Sequence, residues 1–264
     1  MNKEQFQAFK EALAHKTQQN PELVGLVFLG SSADASRQDQ WSDHDFFLIS
    51  QEGLQDRYRK DLSWLPDDFA ISLGFQDTDH GVQVISETGH LLEFAVFSED
   101  ELARLGRVNA HDLMVDKSNL AEIIRHAARE TPPQQKDLQH HAGKVLTCAI
   151  ISMGRYVRGE RASGREVFLN GVLRSFIYLY KHLPIVEGGP RHPRMDNLDV
   201  FRRIEISHPD LGKLLDELES LPVPQALQRV LTVQREKCAH LEWYPTAAHL
   251  AVQKRLEGAL KVYI

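Results

Sequence analysis

The chain has 264 residues, 42% of them hydrophobic and 26% charged, a composition of soluble globular proteins that allows one large domain or two modest ones. Its formal net charge of −6 speaks against broad nucleic-acid binding, which needs a basic face, but leaves room for a local nucleotide pocket. No run approaches the roughly 20 apolar residues of a membrane span, and the opening "MNKEQFQAFKEALAHK" has no apolar signal core, so the expected location is the cytoplasm.

In chain order, Phe6, Phe9 and Leu13 recur at helical spacing within Lys3 to Lys16. Leu23 to Leu29, "LVGLVFL", is a short β-rich run that stops at Gly30, and "HDFFLIS" from His44 is a second strand. "FAISLGF", Phe69 to Phe75, is a third. "GVQVISETGHLLEFAVF" reads as a hairpin around Thr88-Gly89. Ser98 and Glu101 form a capping box that opens a helix, and "HDLMV" from His111 is an edge strand. From about Ser118 the texture becomes helical: Ser118 to Glu130, a break at "TPPQQ", a long amphipathic helix from Lys136 to Glu160, and another over Ser163 to Leu183. A turn-rich stretch, Pro184 to Asn197, precedes about three further helices. Cys148 and Cys238 lie in apolar helical contexts without metal-ligand spacing and read as reduced core residues.

The chemistry concentrates in "FLGSSADASRQDQWSDHDFFLI", Phe28 to Ile49. A glycine at a strand's end followed by serines brings backbone N–H groups close to an anion, which makes Gly30, Ser31 and Ser32 candidates for binding phosphate. Such turns are common, and the pair Asp43 and Asp45 is no more telling alone. On a strand, positions i and i+2 face the same way with Cα atoms roughly 6.5–7 Å apart. Two carboxylates so held repel unless a cation sits between them, and a divalent metal is the natural candidate. Strand, Gly-Ser, a dozen residues and Asp-x-Asp opening the next strand together supply what phosphoryl transfer needs, positioning and charge neutralisation with Mg²⁺. Glu93, inside "HLLEFAVF", stands where the strand pattern calls for an apolar residue, so its carboxylate should be paired, protonated or metal-bound.

Gly30-Ser31, Asp43-His44-Asp45 and the later Glu93 together resemble the signature of the DNA polymerase β-like nucleotidyltransferase superfamily. The helical half is similar to the small-molecule antibiotic nucleotidyltransferases, those acting on lincosamides most of all. The passages that carry this are "DHGVQVISETGHLLEFAVF", "GRYVRGERASGREVFLNGVLR" and "MDNLDVFRRIEISHPDLGKLL". The resemblance implies an α+β fold. A catalytic domain over residues 1–130 would carry a mixed β-sheet with helices, and an all-α helical bundle over 131–264 would contribute to the substrate cleft and to dimerisation.

It further implies Mg²⁺-dependent transfer of a nucleoside monophosphate, AMP above all, from ATP or another NTP to a hydroxyl of a small molecule, with antibiotic resistance as the setting. Two Mg²⁺ ions would be held by Asp43, Asp45 and Glu93, with Glu93 as general base or third ligand. Arg37 and Lys144 are further candidates for the triphosphate, and His44, between the aspartates, points to the opposite face. Should Glu93 be only a structural partner, the third acid is to be sought at Asp77, Asp79 or Asp112. The competing reading is an antitoxin-like nucleotidyltransferase module that binds or modifies a protein toxin or RNA; the retained acids and the large helical half favour the enzyme. A polynucleotide substrate is disfavoured by the acidic balance, and a homodimer is expected.

Overall fold

The structure, a computed structural model, describes residues 1–105, 111–127, 135–183 and 199–263. The chain divides into two compact units, Met1–Glu130 and Thr131–Ile264.

The first unit is built on a six-stranded mixed sheet: β1 (Leu23–Leu29), β2 (His44–Ser50), β3 (Ile71–Gln76), β4 (Gly81–Ser86), β5 (Leu91–Phe97) and β6 (His111–Asp116), in the order β3-β4-β5-β2-β1-β6. β2 and β5 run parallel and every other pair is antiparallel. One face is closed by α1 (Lys3–Gln19), whose stripe of Phe6, Phe9 and Leu13 is buried and whose start is fixed by a capping box between Asn2 and Gln5. Beneath it runs an apolar row: Phe28 pairs with Phe46, Phe46 with Phe94 and Phe94 with Val82. Phe46 and Phe94 stack with ring centroids 5.0 Å apart. Residues after α3 (Gln55–Lys60) complete this layer with Trp64, Leu65 and Phe69. Phe69 therefore packs against Phe9 instead of opening β3, which starts two residues later than its sequence suggests.

On the opposite face, described residues of the first unit pack towards the C-terminal ends of β2 and β5. There α4 (Glu99–Ala103) and α5 (Leu120–Ala127) bring Leu102, Leu120 and Ile124 against Val27, Ile49 and Phe97. The Ser98–Glu101 capping box forms as the sequence indicates, with reciprocal bonds of 3.2 and 2.9 Å. β6 takes the sheet edge beside β1, and β3 the other, with all six of its residues exposed.

The second unit is helical among its described residues: α6 (Gln135–Val157), α7 (Arg161–Val167), a π-helical turn (Phe168–Leu173), α8 (Arg174–Lys181), α9 (Ile204–Ser207), α10 (Pro209–Ser220), α11 (Val223–Cys238) and α12 (Thr246–Tyr263). The long helix stops at Val157, short of its expected end, and Gly159 follows at φ +85°. Gly171, in the π turn, lets α6 approach: a Cβ there would lie 2.8 Å from Cys148 Sγ. Cys148 and Cys238 are both free and buried. The turn-rich Pro184–Asn197 lies outside the described residues. Among the described residues no helix is long and apolar enough to cross a membrane.

Candidate functional site

The part of the sheet that α4 and α5 leave uncovered carries the acids. Asp45 on β2 lies directly opposite Glu93 on the parallel β5, and Glu93 lies opposite Gln83 on β4. Residues in register project to the same face, and Gln83 Nε2 donates to Glu93 Oε1 at 2.7 Å. Along β5 the residues alternate: Leu92, Phe94 and Val96 are buried, while Leu91, Glu93 and Ala95 are half-buried. Glu93 thus belongs to the half-open face and does not interrupt the apolar core, contrary to what its position between Leu92 and Phe94 suggests. Asp43 sits one residue before β2.

β1 ends against this row. Gly30 adopts φ +55°, and a Cβ there would lie 3.5 Å from Asp45 Oδ2, so the bare backbone of the turn faces the carboxylate. Gly30–Ala33 is a single helical turn, α2, with Ser31 and Ser32 buried. Ser32 Oγ donates to the Asp43 carbonyl at 3.0 Å and accepts from the Asp45 N–H at 3.1 Å. One hydroxyl therefore ties the turn to the backbone of both aspartates.

Behind Ser32 stands a residue that the sequence reading passes over. Lys10 is 5% exposed, donates to the Ser32 carbonyl at 2.7 Å and to Asp112 Oδ2 at 3.0 Å, and lies over the Phe28 ring. Its place four residues after Phe6 and three before Leu13, on the apolar stripe of α1, was the available signal. Asp112, a reserve candidate for the third acid, is thereby accounted for as the partner of Lys10.

His44 turns to the other face and is fully buried. It stacks on Phe6 at 3.6 Å between ring centroids; its Nε2 lies 3.0 Å from the Phe6 carbonyl and its Nδ1 2.7 Å from His90 Nε2. A carbonyl only accepts, so His44 Nε2 carries the proton and Nδ1 accepts from His90. Burial pushes the His44 pKa down to about 3, opposed by the Phe6 carbonyl and reinforced by His90 and Lys10. His90 is also lowered, chiefly by burial. The residue between the aspartates is a neutral strut.

Burial raises the pKa of Glu93, and the charges of Asp43 and, more weakly, Asp77 raise it further against the opposing Gln83 bond. Asp43 and Glu93 therefore share one electrostatic field, the crowding a cation relieves. Among the described residues no three His, Cys, Asp or Glu side chains are drawn close enough to enclose a metal ion. The donor set of Asp43, Asp45 and Glu93 is nevertheless all carboxylate oxygen, which suits a hard cation such as Mg²⁺. Lys144 is exposed on α6 in the second unit, and the side chain of Arg37 lies outside the described residues.

The α+β sheet thus sets a glycine turn beside Asp45 and, across the parallel β2–β5 pair, Asp45 beside Glu93. No family model and no curated protein matches the chain by sequence. Among solved structures it is similar to an aminoglycoside 6-adenyltransferase from Bacillus subtilis, at 10% identity over 97% of this chain and 98% of that one, with a TM-score of 0.41. It is similar to a nucleotidyltransferase-like protein from Exiguobacterium sibiricum, at 12% identity over 96% and 78%, with a TM-score of 0.38. A third is the CdnE cyclic dinucleotide synthase of Elizabethkingia meningoseptica, at 10% identity over 96% and 91%, with a TM-score of 0.27. These likenesses are distant, and the chemistry of this chain stands on its own residues.

Proposed function

We propose that the chain is a nucleotidyltransferase that moves a nucleoside monophosphate, AMP in the first instance, from an NTP to a hydroxyl of a small molecule and releases pyrophosphate. The observation that carries this reading is the approach of the Gly30 backbone to Asp45, in a row completed by Glu93. The turn Gly30-Ser31-Ser32 receives the phosphates. Asp43, Asp45 and Glu93 would hold Mg²⁺, which when bound neutralises phosphate charge and acidifies the acceptor hydroxyl. Glu93, with its raised pKa and its carboxylate oriented by Gln83, takes the hydroxyl proton as the oxygen bonds to the α-phosphorus and the bond to pyrophosphate breaks. Arg37 and Lys144 are candidates for the triphosphate by charge alone, and the chain is expected to act as a homodimer.

The test is a pyrophosphate-release screen with each of the four NTPs, Mg²⁺ and a panel of hydroxyl compounds that includes lincosamides and aminoglycosides, read by mass spectrometry for added NMP. Transfer to an acceptor supports the reading. NTP hydrolysis alone, or modification only of a protein or RNA from lysate, would replace it.

A further inference from the structure

The row that holds the acids continues beyond them: Asp45, Glu93 and Gln83 are followed by Phe75 on β3. The neighbouring row on the same face runs from Leu91 through Ile85 to Leu73. Leu73, Phe75 and Ile85 are 48%, 43% and 37% exposed. Exposed apolar residues scattered singly need no explanation, but three on one face of two neighbouring strands form a contiguous patch. Its place relative to the chemistry says what it is for.

Phosphoryl transfer proceeds in line, with the entering oxygen and the leaving group on opposite sides of the phosphorus. The glycine turn that receives the phosphates lies at the end of β1, on one side of Asp45; Glu93, Gln83 and Phe75 lie in that order on the other. With pyrophosphate on the β1 side, the acceptor has to arrive from β4 and β3.

We infer that Leu73, Phe75 and Ile85 form the acceptor subsite, and that the acceptor is an amphipathic alcohol whose apolar body lies on these side chains while its hydroxyl reaches Glu93. This rests on the nucleotidyl-transfer reading for its direction and narrows it, because a polycationic sugar gains little from an apolar floor. Gln83 separates the floor from the acid and offers the amide that orients Glu93.

The experiment compares wild type with Leu73→Ser/Phe75→Ser, both substitutions at exposed positions of an edge strand, with circular dichroism and the melting temperature confirming the fold. The binding arm uses octyl β-glucoside below its micellar concentration and methyl β-glucoside as the matched probe without the tail, followed by saturation-transfer NMR. Wild type should contact the octyl protons and ignore the methyl glucoside, and the variant should bind the octyl compound about tenfold more weakly. The kinetic arm uses lincomycin against kanamycin: lincomycin should be the better acceptor, with its KM raised about tenfold in the variant and the KM for NTP unchanged.

Equal octyl binding by both proteins, or a preference for kanamycin untouched by the substitutions, overturns the subsite. So does a change of oligomeric state in the variant, which would make this face a contact between copies. Octyl binding that depends on Leu73 and Phe75, without NMP transfer to any alcohol, would instead refute the transferase reading and leave an apolar binding face.

Discussion

Two rows of side chains cross the same strands one residue apart. Val82, Phe94, Phe46 and Phe28 form one, under α1; Gln83, Glu93 and Asp45 form the other, on the opposite face beyond the reach of α4 and α5. The backbone ladder is common to both, so the difference lies in the side chains and in what covers them. The apolar row is cohesive and holds the strands in register. The acidic row sets Glu93 in the field of Asp43, which raises its pKa, and is held in place by the row behind it. Stability and chemistry are thus separated by one position along each strand, and substitutions in adjacent residues should have opposite signatures.

The largest effect belongs to the apolar row. Phe94→Ala removes a ring that is 4% exposed and packs on both Phe46 and Trp64. It should cost about 3–5 kcal/mol in urea unfolding; a loss of activity without that loss of stability would break the division between the rows. Asp45→Asn should do the reverse, lowering turnover by about 100-fold or more while the melting temperature without metal holds or rises. Wild-type turnover in that variant with Mg²⁺ would remove Asp45 from the chemistry.

Lys10→Met tests the support of the acidic row. It leaves the Ser32 carbonyl without its buried donor and should weaken Mn²⁺ binding, followed by electron paramagnetic resonance, by about tenfold. Asp112→Asn, which keeps an acceptor for Lys10, should affect binding far less; equal effects would mean that the ion pair serves stability alone. Gly30→Val forces a branched residue to φ +55° beside Asp45 and costs about 1–3 kcal/mol of strain. Calorimetry should show weaker NTP binding in the folded variant.

The smallest effect is electrostatic. Because the Glu93 pKa is raised, the native state binds its proton more tightly than the unfolded chain, and this contribution to stability falls as pH rises through the raised value. Glu93→Gln should therefore melt slightly higher than wild type at neutral pH and lose that slope. If Glu93 is the base, the variant should also lose the acidic limb of the pH–rate profile. An unchanged profile in Glu93→Gln would leave it a structural partner of Gln83.

Much of this was legible locally. Strands β1, β2, β5 and β6 follow from runs of β-favouring residues, and the Ser98–Glu101 cap from a four-residue pattern. The Asp43–Asp45 spacing is visible at sight. What places Asp45 against Glu93 is a parallel register, and no local pattern encodes which strand lies beside which. Lys10 holds Ser32 across 22 positions and Asp112 across 102, and a lysine on an apolar stripe does not announce its partners. The residues of β3 indicate a strand but not its start, because Phe69 is claimed by the core through Phe9. The role of its exposed apolar side chains emerges only once the sheet order is known.

The parallel pairing of β2 with β5 bears also on the order in which the chain folds. β3 and β4 lie between them in sequence but beyond β5 in the sheet, so β3, β4 and β5 can form as local hairpins, on a scale of about 1–10 μs. β5 must then dock along β2, a non-local step and a slower one. Until it does, Asp45 and Glu93 do not meet. The repulsion that Asp43 exerts on Glu93 is postponed to the moment when Phe46 slides against Phe94 and the aromatic rings can offset it. A chain emerging from the ribosome has made its glycine turn and both aspartates well before Glu93 appears, and the anionic cluster comes into being only with the finished sheet.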